Sequence, residues 1–333
     1  MIETRNLDSL KILITGGLGF IGSSIAQKIV PEGAEVTLYD ACLDPYGWNY
    51  ANIKEIKDDV QVVKADVRDP EQMKKHIKGK DIIFHMAAQV GREISMNDPE
   101  LDIDINCNGT LNLIKSCATL TNGVKVVYAG SRGQIGEPSY LPVDEDHPQE
   151  PTDLYGINKL AAEKYIFLWG KVYGFATTSL RLNNVYGPRC QMQNGYYGIL
   201  NWFIKRAMVG EDIPVYGDGS QTRDYVYIDD VVDAFVRAAI SPKTSGESYM
   251  VGSGKETIFL DMVKSIIKEV GKGRYVHVPF PPQRESIDIK RFVVTCKKIS
   301  NTIGWRPQID LTQGISKTVS FYRERLKEYL PQN

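Results

Sequence analysis

The sequence predicts an α/β protein: a doubly wound parallel sheet with a smaller mixed α/β lobe. Three observations carry this. Short apolar runs of strand length alternate with helix-length segments through the first half. The runs are continuous rather than alternating, as in strands covered on both faces. Pro and Gly become dense after about residue 182, at 187–219 and again at 271–282.

The strand-like runs are KILIT (11–15), EVTLY (35–39), VQVVK (60–64), DIIF (81–84) and VKVVY (124–128). Helical segments such as 19–30 and 100–121 lie between them. Right-handed crossovers wind such a series into one sheet with helices on both faces. Helical patterns resume at about 196–209, 229–240, 258–270 and 311–328. Residues 1–182 are thus expected to form the sheet domain and 183–333 mainly the second lobe, with segments near 224–245 able to return to the first. Ligands of open α/β sheets bind outside the carboxyl ends of the strands, where such a lobe would close over them.

Composition removes several classes of function. Among 333 residues, 40 are Lys or Arg and 41 Asp or Glu, a net charge of −1. No basic excess points to nucleic acid, and no apolar run is long enough to span a membrane. The N-terminal segment lacks a signal-peptide pattern. Five scattered cysteines, Cys42, Cys107, Cys117, Cys190 and Cys296, read as reduced thiols of a cytoplasmic protein. The four histidines lack metal-ligand spacing.

The first motif is KILITGGLGFIG, which sets Gly16, Gly19 and Gly22 between a strand and a helix start. Glycines there allow a tight turn and close backbone approach to a pyrophosphate, which the helix N-terminus attracts. Asp40 ends the next strand. Its carboxylate would accept ribose hydroxyls and repel a 2′-phosphate, favouring NAD over NADP. Asp66, at the end of the third strand, could hold the adenine. The second motif, YGINK, puts Tyr155 and Lys159 at i and i+4 on one helix face, downstream of Ser131. A free tyrosine titrates near 10; an ammonium and a nicotinamide cation nearby would favour its phenolate.

These residues resemble the extended short-chain dehydrogenase/reductase family, within it the nucleotide-sugar epimerases and dehydratases. The likeness covers nearly the whole chain: TGGLGFIG, FHMAAQ (84–89), NCNGTLNLI (106–114), VYAGSRGQIG (127–136), YGINK, RLNNVYGPR (181–189), VYGDGSQTRDYVYIDD (215–230) and GWRP (304–307). It implies a Rossmann domain holding NAD, a nucleoside-diphosphate sugar substrate, and a homodimer packed through helices near 100–121 and 152–173. By position in those motifs, it assigns cofactor contacts to Gly16, Gly19, Phe20, Ile21, Gly22, Asp40, Asp66, Val67, Ala87, Ala88, Gln89 and Asn106, with Tyr155 and Lys159 beside the nicotinamide. Ser131 matches the catalytic hydroxyl, Tyr155 the base and Lys159 its partner. Asn184, Tyr216, Arg223 and Arg284 match substrate contacts. An ion pair with the neighbouring Asp224 is the plainer role for Arg223.

Ser131 is followed by Arg132 and Gly133. Dehydratases of the family carry an Asp–Glu pair there. Arginine stays protonated and glycine has no side chain, so acid catalysis of water loss is disfavoured. A base, a hydroxyl donor and NAD suffice for hydride removal and return. The expected reaction is epimerisation at carbon 4 through a transient ketone, of the UDP-glucose/UDP-galactose type. HMAAQVGREISMNDPELDIDIN is also similar to stretches of 2-epimerases and decarboxylases, which makes a 2-epimerase the nearest rival, and uronate 4-epimerases or decarboxylases stand as further alternatives. An NAD-holding sensor would have no need of all three catalytic groups. Arg132 either pairs with an acid in EPSYLPVDED (137–146) or faces the sugar, where its fork suits a uronate carboxylate.

Overall fold

The protein is described here by a computed structural model, covering residues 6–120, 123–280 and 288–330. Seven parallel strands form one sheet in the order β11-β6-β5-β4-β1-β2-β3. The first five are β1 (Lys11–Thr15), β2 (Glu35–Asp40), β3 (Val60–Lys64), β4 (Ile82–His85) and β5 (Lys125–Ser131). β6 (Ala176–Leu182) and β11 (Glu247–Val251) complete it.

The period of two along each strand sorts side chains onto two cores. Ile12 and Ile14 of β1, Ile82 and Phe84 of β4 and Val127 of β5 face one core. Leu13, Ile83, Val126 and Tyr128 face the other. Helices α1 (Phe20–Ile29) and α8 (Ile228–Ile240) cover the first face. Helices α2 (Pro70–Ile77), α5 (Gly109–Leu120) and α6 (Leu154–Tyr173) cover the second. Each fully buried aliphatic side chain contributes about 1.5–3 kcal/mol.

β6 reads ATTSLRL and carries no continuous apolar run, yet it is buried along nearly its whole length. Most of its buried polar groups find partners inside: Thr178 Oγ1 donates to the Thr244 carbonyl (2.8 Å), and Ser179 Oγ donates to Glu163 (2.6 Å), while Arg181 Nη1 is left without one. Arg181 forms a two-pronged pair with Glu163, at 3.1 Å from Nε and 2.7 Å from Nη2.

The expected helix over 100–121 is interrupted. Helix α3 (Arg92–Asn97) and the short α4 (Pro99–Ile103) lead into a π-helical turn at Asp104–Asn108 and then α5. Such turns often sit at functional sites. Outside the main sheet short strands pair: β7 (Asn184–Tyr186) with β10 (Tyr225–Tyr227), β9 (Thr222–Arg223) with β12 (Thr257–Ile258), and β8 (Ile213–Tyr216) with β13 (Tyr275–Val278). Helices α7 (Ile199–Val209), α9 (Phe259–Val270) and Leu311–Tyr329 pack around them, and Lys297–Ile303 packs against β11 at the edge of the main sheet. All the parallel strands of the main sheet point one way, so the segments after β1, β2, β4 and β5 share one edge. The cleft lies there.

Candidate active site

Two adjoining cavities open along this edge, of about 220 and 400 Å³. The smaller is built on the glycine turn. Gly16 has φ +66°, and a Cβ on it would stand 2.9 Å from the Ala87 amide nitrogen. A Cβ on Gly22 would overlap the Gly16 carbonyl. Gly19 is the N-cap of α1 and brings no side-chain acceptor, and no acid occupies the first turn. The N–H groups there are available to an anion. Phe20, Ile21 and Gly22 line the cavity with Asp40 opposite.

Asp40 is held by its neighbours: Oδ2 accepts the Leu18 N–H (3.0 Å) and Oδ1 the Cys42 N–H (2.9 Å). Burial raises its pKa, and the two amides oppose that rise. Asp66 and Val67 form the far wall. Burial would raise the Asp66 pKa as well, but Arg68 outweighs it with a 2.6 Å ion pair, and the net shift is downward. Ala87 and Ala88 close the near side. Gln89 and Asn106 lie behind the walls rather than on them. Asn106 Nδ2 donates to the Gln89 carbonyl (3.2 Å), and its Oδ1 is buried without a partner. A cradle without Cβ atoms, an uncapped helix start and a carboxylate at the ribose position fit a dinucleotide.

The larger cavity brings together the three residues the sequence singles out as catalytic candidates. Ser131 ends β5, and Tyr155 and Lys159 stand on the first turns of α6. Helix α6 starts at Asp153, whose side chain accepts the Gly156 N–H (2.7 Å). Gly156 lets the helix dock: a Cβ there would overlap the Gly133 carbonyl and lie 2.9 Å from Pro151 Cβ. This docking sets Tyr155 and Ser131 on the wall of the same cavity. Burial pushes the Tyr155 hydroxyl up to about 12, and the Ser131 hydroxyl opposes that rise. Lys159 is buried with Nζ 4.2 Å above the Tyr128 ring. Burial depresses it to about 7, while Asp102 and Glu163 act the other way. The turn bearing Ser131 is itself braced. The Ser131 N–H donates to Gln134 Oε1 (2.7 Å), and Ser131 Oγ accepts the Gly133 N–H (3.1 Å).

Asn184, Tyr216 and Arg223 line the same cavity. Asn184 Oδ1 is buried and unpartnered. Arg223 does not pair with Asp224, whose carboxylate takes the N–H groups of Ser253, Gly254 and Val294. It pairs with Asp288 (2.8 Å) and donates to the Thr222 and Ile289 carbonyls. Arg132 does not pair with the acidic stretch after it. There, Asp144 accepts the Tyr140 hydroxyl (2.6 Å) and Glu145 the Met250 N–H (2.7 Å). Arg132 lies over the Phe292 ring, 5.2 Å from its centroid, and lines the cavity. Arg284 lies outside the described residues.

Sequence reasoning missed Arg92, Asp153 and Asp288. Arg92 Nε meets Asp153 Oδ2 at 2.7 Å, and both Arg92 and Asp288 line the cavity. Asp153 carried a signal, an N-cap residue just ahead of a helical run. The other two carried none. Among the described residues no cluster of His, Cys, Asp or Glu is arranged to hold a metal ion, and no helix is long and apolar enough to cross a membrane.

Comparison with known proteins finds relatives within one family, decarboxylases and dehydratases among them. The profile of the NAD dependent epimerase/dehydratase family matches residues 12–252. The chain is 35% identical over 318 residues to a UDP-glucose 4-epimerase of Mycolicibacterium smegmatis, covering 95% of this chain and 99% of that one. Among solved structures it resembles a UDP-glucose 4-epimerase of Thermotoga maritima with UDP-glucose, at TM-score 0.87 and 30% identity, over 95% of this chain and all of that one, 100%. It also resembles the Thermus thermophilus UDP-glucose 4-epimerase complex with NAD, at TM-score 0.84 and 30% identity, over 95% and 100% of the two chains.

Proposed function

The chain belongs to the NAD-dependent epimerase/dehydratase family, and from that premise we propose that it inverts carbon 4 of a nucleoside-diphosphate hexose through a transient 4-ketone. The observation that carries this reading is the convergence of Ser131, Tyr155 and Lys159 on one cavity in which the two residues after the serine, Arg132 and Gly133, supply no acid. NAD, when bound, supplies the acceptor and then the donor of a single hydride.

Tyr155 takes the proton of the reacting hydroxyl and later returns it. Ser131 hydrogen-bonds the same oxygen and holds it against Tyr155. Lys159 stands one helical turn from Tyr155 and favours the phenolate when it is protonated, while burial raises the Tyr155 pKa and Arg92 lowers it. The apolar and aromatic walls exclude water while the ketone exists and leave room for it to present its other face. Arg223 and Asn184 face the diphosphate end. The five free cysteines support a reducing, cytoplasmic setting. Exposed Ile103 on α4 and Ile157, Leu168 and Val172 on α6 support a homodimer through that face.

The test is Tyr155→Phe assayed on UDP-glucose and UDP-galactose, with product stereochemistry read by NMR. Turnover should fall about 10²–10⁴-fold, the usual share of a general base, while affinity for the sugar nucleotide changes little. Wild-type inversion at carbon 2 instead, or a variant that turns over like wild type, would overturn the reading.

A further inference from the structure

Three guanidinium groups, from Arg92, Arg132 and Arg223, line the catalytic cavity. They come from three separate places: the start of α3, the turn after β5, and β9. Two have carboxylates of their own. Arg92 holds Asp153 at 2.7 Å and Arg223 holds Asp288 at 2.8 Å. Arg132 forms no ion pair with any described residue. Its guanidinium rests on Phe292, and its Nη1 is buried without a hydrogen-bond partner.

A cation placed so is costly. Burial disfavours its charge, and Arg92 and Arg223 add repulsion, which Asp288 and Asp153 only partly offset. An arrangement of this kind is relieved by an anion arriving in the cavity. Two sources of anionic oxygen are compatible with a sugar nucleotide: the diphosphate and a carboxylate on the sugar.

The position of Arg132 in the chain separates them. It directly follows Ser131, which holds the oxygen on carbon 4. The substituent on carbon 5 is the nearest group of the sugar to that oxygen on one side. A neutral hexose has a hydroxymethyl group there; a uronate has a carboxylate. The planar fork of arginine matches a carboxylate with two parallel bonds, which a hydroxymethyl group cannot return. Resting on the carbon-4 reading above, we propose that the preferred substrate is a nucleoside-diphosphate hexuronate and that Arg132 reads its carboxylate. The sequence alone favoured a neutral hexose, because nothing in it otherwise demanded a carboxylate. A guanidinium with no ion-pair partner among the described residues supplies that demand.

The experiment titrates NAD-loaded wild type, Arg132→Met and Arg132→Lys with UDP, UDP-glucose and UDP-glucuronate by calorimetry. Should UDP itself fail to bind, dTDP and its two sugars take their places. Wild type should bind the glucuronate at least about tenfold more tightly than the glucose, and Arg132→Met should lose about 10–100-fold on the glucuronate, the range for a charge-assisted hydrogen bond. The loss on the nucleotide alone should be much smaller, and lysine should restore part of the selectivity. Methionine keeps the stacked stem, and retained NAD reports that the variant is folded. Equal losses on all three ligands would assign Arg132 to the diphosphate and overturn the proposal, as would a wild type without preference for the glucuronate. NMR of the products keeps the two readings apart. Tight glucuronate binding with no change at carbon 4 sinks the epimerase reading alone, and epimerised UDP-glucose without uronate selectivity sinks this one alone.

Discussion

Lys159 is held in the protein at a measurable cost, and replacing it by methionine exposes that cost. Its ammonium falls from the ordinary 10.5 to about 7, chiefly through burial. At about 1.4 kcal/mol per pKa unit, that is roughly 5 kcal/mol. The sign follows from the order of the two values. Above 10.5 the lysine is neutral in both states and costs nothing. As pH falls toward 7 the unfolded chain takes up the proton and the folded one does not, so stability drains away until the folded lysine also charges. Lys159→Met lacks this term. In dinucleotide-free protein the variant should gain on wild type as pH falls, and roughly 3 kcal/mol of the difference should develop between pH 9.5 and pH 7. Urea denaturation at several pH values measures it directly. The same variant should lose turnover, since the ammonium that Lys159 carries near and below pH 7 is then missing one helical turn from Tyr155. Parallel stability–pH curves for the two proteins would refute the buried, proton-poor lysine and with it the account of how the pair is tuned.

Asp40→Ala removes the acceptor of the Leu18 and Cys42 amides; it should shed NAD on purification and cost about 1–3 kcal/mol, and tight retention of NAD would remove Asp40 from the cofactor site. Arg181→Met strands the buried Glu163 carboxylate and should cost about 3–5 kcal/mol, most of it regained in the Glu163→Leu/Arg181→Met double variant; a single variant as stable as wild type in thermal melts would contradict this. Arg181 and Ser179 hold the Glu163 pKa down against burial, which acts the other way, so that carboxylate's contribution is lost as pH falls through its depressed value. Gly156→Ala should drive α6 away from the Ser131 turn and lower kcat more than substrate affinity; unchanged kcat would show that the helix adjusts without disturbing Tyr155.

The first five strands were legible because both their faces are covered, which leaves continuous apolar runs. β6 was not, because Thr178 and Arg181 find their partners in Thr244 and Glu163, residues 66 and 18 positions away. β11 was hidden in the same way, as a short strand paired with β6 alone. The glycine turn, Asp40 and the Tyr155–Lys159 spacing are local patterns, so the sequence displays them. The partners of the arginines are not local. Arg223 passes over its neighbour Asp224 to reach Asp288, 65 residues on, because Asp224 is committed to three backbone amides. Arg132 likewise ignores nearby acids that serve Tyr140 and Met250. Charge in a sequence shows which groups need partners; only the fold shows which partners they take.

The two cavities have a common partition, with Phe20, Ile21, Met86, Ala88, Val90 and Tyr197 bordering both. A dinucleotide reaching across it would form part of the floor on which the sugar sits, and a seated sugar would bar its way out. Loading is then ordered, and each hydrogen lifted from a sugar is confined with the molecule that gave it. A mixture of substrate carrying deuterium on carbon 4 with substrate labelled by carbon-13 elsewhere should therefore yield products in which the two labels never meet, however many cycles the enzyme completes.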